Sequence, residues 1–307
     1  MRGTDSSKCA SERSRGEESA EGCIVEGRNR ASFTNLSFFL NKMTVMEFFG
    51  CTFLAFGPPL AMFTFTIAHD PIRIIILIAS SFFWLLSLLL SSLLWFAVVP
   101  LQNELAFGLV FSVLFQELFR FLIYKLLRKA EYGLKKVAEN TEMITDNKHI
   151  LAYVAGLGFG IISGAFSLVN VLANAIGPAT VGLQNGSQYF FFTSSATALC
   201  FILLHTFWGV IFFSGMDTKN YARLAIVVCG HMFVSCMTLF NKNELYAASL
   251  TPAFVVTFVT AIIAFRVAGG SFVSFREALK CRRCVTGNTG VLGQYGTFED
   301  NVSLERL

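Results

Sequence analysis

Charge is scarce in this chain: Asp, Glu, Lys and Arg make up 14% of its 307 residues, against 54% hydrophobic residues. Soluble domains carry roughly a quarter charged residues, so water is excluded as the main solvent. Also lacking are the ~10-residue segments of alternating polarity that a membrane β-barrel requires. Runs such as IIILIASSFFWLLSLLLSSLLWF are instead apolar on every side. There is no tandem repeat with inverted symmetry, which removes the main sequence signature of a secondary transporter. The first 42 residues lack a ~7–15-residue apolar core and are therefore no signal peptide, and their six acidic residues argue against a mitochondrial transit peptide.

What is present is apolar sequence gathered into blocks. A helix needs ~20 residues to cross a hydrocarbon core of ~30 Å, and seven blocks are long enough: Val45–Ala68, Ile72–Val99, Glu104–Leu127, Ile150–Ala173, Tyr189–Phe213, Tyr221–Phe240 and Tyr246–Ala268. The expected fold is all-α, a polytopic membrane protein of seven transmembrane helices. Gly57–Pro59 lies in the middle of the first block and Pro252 in the last, where missing backbone donors are expected to kink the helices.

Basic residues set the expected orientation. Arg73, then Lys125, Arg128, Lys129, Lys135, Lys136 and Lys148, then Lys219 and Arg223, and finally Arg266, Arg276, Lys280, Arg282 and Arg283 fall on one side, and among the opposite connectors only Lys242 answers them. The positive-inside rule puts the larger set and the C-terminus in the cytosol and the N-terminus on the luminal or extracellular side.

Residues 1–42 are polar and mixed in sign, and are expected to be a disordered extension outside the normal product, with translation starting at Met43. The domain organisation is then a seven-helix transmembrane domain over 43–284 and a flexible cytosolic tail over 285–307. Cys51, Cys200, Cys229 and Cys236 lie within apolar blocks and read as packing residues. Cys281 and Cys284 form a CxxC with no second pair or nearby His, so S-acylation is a better reading than zinc. Asn185-Gly-Ser187 is an acceptor sequon in an external connector, a candidate for glycosylation, although short loops near the bilayer are often skipped.

The fourth block carries Ala152, Gly156, Gly160 and Gly164 at intervals of four. At 3.6 residues per turn these drift only ~40° per step and form one groove, suited to close approach of another helix of this chain or of a partner. The third block carries Gln116, Glu117 and Arg120. A carboxylate or guanidinium near the bilayer centre costs on the order of 2.5–3.5 kcal/mol on insertion scales, so such groups face protein or water. Glu117–Arg120 at i,i+3 and Gln116–Arg120 at i,i+4 are the expected internal pairs, unless Arg120 snorkels to the interface. His205 and His231 complete the intramembrane set. A hydrogen-bonded polar core is the plainer reading. One carboxylate with two imidazoles is also a metal-ligand combination, which leaves a metal or proton-handling site as the sharper one.

Six segments, in this order, carry a family resemblance: FFGCTFLAFGPPLAMF, DPIRIIILIASSFFWLLSLLLSS, QELFRFLIYKLLRKAEYGL, GLGFGIISGAFSLVNVLA, LLHTFWGV and AGGS…CRRC. The chain resembles the anterior-pharynx-defective (Aph) family, the seven-span subunit of the γ-secretase intramembrane protease, over nearly all of 43–284. The resemblance implies a non-catalytic scaffold that needs no cofactor, joins nicastrin and then holds presenilin, with the presenilin enhancer subunit completing the complex that cleaves type I membrane proteins such as Notch and amyloid precursor protein. It implies residence in the endoplasmic reticulum, Golgi, plasma membrane and endosomes. It also implies an assembly role for Gly156, Gly160 and Gly164, and presenilin contact for His205 and His231. Asp70, Asp146 and Asp217 all read as connector residues, so an aspartyl mechanism, which needs two carboxylates sharing a proton, falls to a partner. The competing class is a glutamate-dependent intramembrane protease of the CAAX-processing type. It requires a glutamate pair ahead of an arginine, whereas here Gln116 replaces the first glutamate and the arginine stands closer.

Overall fold

The computed structural model of the chain describes residues 46–98, 105–137, 148–175 and 189–271. Among these are seven helices long and apolar enough to cross a membrane, and no strand. They are α1 (Met46–Thr66), α2 (Pro71–Ala97), α3 (Leu105–Val137), α4 (Lys148–Ala175), α5 (Phe190–Asp217), α6 (Tyr221–Met237) and α7 (Tyr246–Val267), with a 3-10 helix at Thr238–Asn243. Contacts divide the chain into two compact units, Met1–Ala264 and Phe265–Leu307. The packing described below belongs to the first.

Helix ends follow from local chemistry. Asp70 caps α2, its Oδ1 accepting from the backbone N–H of Ile72 at 2.9 Å, and Pro71 fills the first helical position, where no donor is needed. Between α5 and α6 the chain turns in three residues. Lys219 adopts a left-handed conformation, Asn220 N–H returns to the carbonyl of Gly215 at 2.8 Å, and the Asn220 side chain then caps α6. In the second unit Gly269, at φ +85°, closes the end of α7 with its N–H donating to the Arg266 carbonyl, a conformation that suits glycine. Helix α1 is continuous through Pro58 and Pro59, and α7 through Pro252.

Two helices extend beyond their apolar blocks. The helical backbone of α3 runs on to Val137 as a basic continuation, and α5 continues past Phe213 to Asp217. Asp217 is therefore the last residue of a helix rather than a connector residue, which matters for the electrostatics below.

Helix α5 is the hub. Of its most apolar stretch 72% is buried, against 56% for α4 and 17–28% for the other five. A helix that is apolar all round belongs inside a bundle. The α4–α5 contact is the most extensive, and α2 packs on α4 and α3, while α6 meets α5 and α3. Ala55 of α1 packs on Leu168 of α4 and Ala198 of α5, and Trp84 of α2 on Ile123 of α3 and Phe159 of α4. The outward faces of α1, α2, α3 and α7 remain exposed and carry Phe53, Phe65, Ile78, Leu89, Leu122 and Phe258, as expected of surfaces whose solvent is lipid.

Candidate functional site

The glycines of α4 determine how closely its neighbours approach. A Cβ added at Gly156 would lie 2.7 Å from the Thr206 carbonyl oxygen and 2.8 Å from that of His205, and one at Gly160 would collide with the backbone of Ile202. At Gly164 the obstacle is the Ile202 side chain, 2.5 Å away. Helix α5 answers with Gly209, whose added Cβ would lie 2.8 Å from the Cα of Gly156. The groove is thus filled by a helix of the same chain. Gly158, roughly 200° round the helix from Gly156, faces α2, where a Cβ would lie 2.5 Å from the Leu77 carbonyl oxygen. The Ser81 hydroxyl donates to the Gly158 carbonyl at 3.0 Å across the same contact. Close backbone approach substitutes for the missing hydrophobic force between helices in lipid.

This close approach carries His205 of α5 to α3. The Arg120 guanidinium donates through Nη2 to His205 Nδ1 at 2.7 Å, and through Nη1 to Glu117 at 3.0 Å from Oε1 and 3.3 Å from Oε2. His231 of α6 brings its Nδ1 to 2.7 Å from Glu117 Oε1. Arginine has only donors and a carboxylate only acceptors. The network therefore assigns the protons: His205 accepts at Nδ1 and carries its hydrogen on Nε2, whereas His231 donates from Nδ1. Glu117, Arg120, His205 and His231 are 7%, 2%, 1% and 1% exposed, so each buried charge is paired rather than solvated.

Aromatic rings enclose the network. Arg120 lies over Phe159 at 5.7 Å and Trp208 at 5.9 Å from the ring centroids, and Trp208 packs on His231 at 4.8 Å. The void beside it, between Arg120, Gly156, Phe159 and Gly209, has no room for a water molecule. Trp208 Nε1 is buried with no hydrogen-bond partner among the described residues.

Glu117, Arg120, His205 and His231 come together; Gln116 points elsewhere. Consecutive residues diverge by ~100° on a helix, and Gln116 turns to α2, accepting from Trp84 Nε1 and donating to Ser112 Oγ, both at 3.2 Å. The expected Gln116–Arg120 pair is thus replaced by a second interhelical bond. Arg120 also bridges Glu117 to His205, and among the described residues no group of three His, Cys, Asp or Glu side chains is placed to hold a metal ion. Asn185, Cys281 and Cys284 lie outside the described residues.

A second cluster lies about one to three turns further along α3. Arg128 grips Asp217 with both Nε and Nη2, at 3.0 and 2.5 Å, and Glu131 with Nη1 at 2.7 Å, while the Tyr124 hydroxyl donates to Asp217 at 2.9 Å. Sequence reasoning missed this clamp because Asp217 reads as a loop residue. It missed Gly158 and Gly209 because neither belongs to the four-residue series, although the Gly156–Gly158–Gly160 alternation was a visible signal for a second tight face.

The sequence model of the Aph-1 protein family matches residues 46–271. The chain is similar to the gamma-secretase subunit Aph-1 of Drosophila melanogaster, 62% identical over 240 residues covering 78% of this chain and 100% of that protein. It is similar to the gamma-secretase subunit Aph-1b of Danio rerio, 48% identical over 78% of this chain and 95% of the relative. The gamma-secretase subunit APH-1B of Homo sapiens is 47% identical over the same shares.

Proposed function

The chain belongs to the Aph-1 family, and on that premise we propose that it serves γ-secretase as a scaffold that performs no bond cleavage itself. It is a multi-pass membrane protein and a γ-secretase subunit. In the finer reading it joins nicastrin, then holds presenilin, with the presenilin enhancer subunit added last, and the catalytic aspartates are presenilin's. Its substrates by association are type I membrane proteins such as Notch and amyloid precursor protein, met in the endoplasmic reticulum, Golgi, plasma membrane and endosomes. The excess of basic residues at the α3–α4, α5–α6 and C-terminal positions supports a cytosolic C-terminus and a luminal or extracellular N-terminus.

One observation carries the non-catalytic reading. Glu117, among the described residues the only carboxylate in the His205–His231 core, has both oxygens engaged by Arg120 or His231, with no space for water beside the guanidinium. A general base must reach a nucleophile and a substrate, whereas the Glu117 oxygens are taken up by Arg120 and His231. The same closure weighs against the glutamate-dependent protease alternative. What the bundle offers instead is a rigid centre, cemented by glycine contacts and ion pairs, with large apolar faces left outside.

The test is reconstitution. Purified free of presenilin, the chain is expected to leave transmembrane and prenylated peptides uncut, and to co-purify with presenilin and nicastrin when expressed with them. Presenilin-free cleavage that disappears in Glu117→Gln would reverse the reading.

A further inference from the structure

Three cations occupy little more than one turn of α3: Lys125, Arg128 and Lys129. Arg128 is answered twice, by Asp217 and Glu131. Lys125 and Lys129 are exposed, and among the described residues neither has a carboxylate within ion-pairing distance. Lys125 does not reach outward. Its Nζ lies 5.4 Å over the ring of Phe121, one turn back toward the middle of the span.

The surroundings define the chemical class of ligand that the two lysines suit. Leu114, Leu118, Leu122 and Leu126 are exposed on the outer side of α3, and the two lysines continue that side until Tyr132, which is 72% exposed, takes over one turn later. An apolar face that gives way to lysines and an exposed tyrosine marks the passage of a lipid-facing helix from hydrocarbon into the interface. Exposed ammonium groups at the end of a span reach the depth of lipid phosphates, and among the described residues the nearby carboxylates Asp217 and Glu131 pair with Arg128. Residues four apart place their Cβ atoms ~6 Å from each other, close enough for two ammonium groups to share one phosphate.

We propose that Lys125 and Lys129 form a headgroup site for an anionic glycerophospholipid, its phosphate held between them and its acyl chains lying along Leu122 and Leu118. A lipid matches the face better than an acidic protein segment because it supplies anion and apolar tail in the same order as the helix. The site depends on α3 spanning a membrane and not on the scaffold reading.

The assay is native mass spectrometry of the full complex in mild detergent, titrated with phosphatidylserine or phosphatidylcholine. Because the lipid is added from solution, the result does not depend on which side α3 ends. Wild type is expected to retain phosphatidylserine preferentially. The double variant Lys125→Gln/Lys129→Gln should bind it about 30-fold more weakly, roughly fivefold per lysine, while Lys125→Arg/Lys129→Arg keeps it. Equal retention of the two lipids by wild type, or undiminished phosphatidylserine binding by the glutamine variant, overturns the proposal. Loss of a protein subunit in place of lipid from the glutamine variant overturns it too, in favour of an acidic protein partner.

Discussion

Arg120 Nη2 stands 2.7 Å from His205 Nδ1, so a ring nitrogen 85 residues away completes the coordination of a guanidinium buried in the bundle. The same guanidinium neutralises Glu117. The bond from Arg120 to His205 ties the register of α3 to that of α5.

Arg120→Met is expected to be far more damaging than the loss of one contact suggests, because it strands the Glu117 carboxylate in a dry interior. Breaking a buried pair by removing one partner costs about 3–5 kcal/mol, whereas replacing both with apolar groups is often near neutral. Thermal unfolding of the purified complex should therefore show Glu117→Gln/Arg120→Met recovering much of the loss. If the double variant is no better than the single, the ion pair is not what holds these helices.

The glycines should rank by what stands opposite them. Gly156→Leu, Gly158→Leu and Gly160→Leu each drive a side chain into backbone, of Thr206, Leu77 and Ile202 respectively, and should abolish co-purification of partner subunits. Gly164→Ala meets only the flexible end of Ile202, and Gly57→Ala meets nothing within 4 Å. These two should assemble, with Gly57→Ala indistinguishable from wild type. Pull-down yields from one expression series read out the order.

Trp208 combines a large packing ring with an unpartnered Nε1–H. An orphaned buried donor costs about 1–3 kcal/mol, so Trp208→Phe should come out close to neutral, the lost ring volume being offset by removal of that group. Trp208→Ala should cost about 3–5 kcal/mol. A Phe variant as unstable as the Ala variant, by melting temperature, would mean that Nε1 is hydrogen-bonded in the assembled protein.

Asp217→Asn tests the clamp at the end of α5. Arg128 and Asp217 are partly exposed, 18% and 26%, so solvent screening reduces the loss to about 1 kcal/mol. The effect should be local: faster amide exchange over the last turn of α5 and the Lys219–Asn220 turn, with the α4–α5 contact unchanged. Uniform exchange increases across the bundle would contradict it.

The seven spans were legible because lipid imposes one demand on all of them, a run of apolar residues long enough to cross. Their ends were less so: α3 runs on as the basic helical continuation its sequence suggests, but the extension of α5 to Asp217, where hydropathy has already fallen, depends on Arg128 of another helix. Within the site, Glu117–Arg120 could be read from helical spacing alone, being i,i+3. The choice of His205 for Arg120 and of Trp84 for Gln116 could not, because pairs separated by 85 and 32 residues depend on how helices rotate about their axes. The glycine contacts of α4 set how closely α5 and α2 approach it, one face showing as a four-residue series and the other, at Gly158, falling outside that series.

The order in which the network is synthesised has its own consequence. His205 and His231 lie 85 and 114 residues after Arg120 and Glu117, and a ribosome adding ~5–20 residues per second supplies them only after roughly 5–20 s. During that interval α3 must wait with a carboxylate and a guanidinium on it, and the neighbour it can already use is itself. The i,i+3 placement of Glu117 and Arg120 lets the two charges hold one another from the moment the helix forms, so the pair that later binds three helices together first serves as a temporary plug for one.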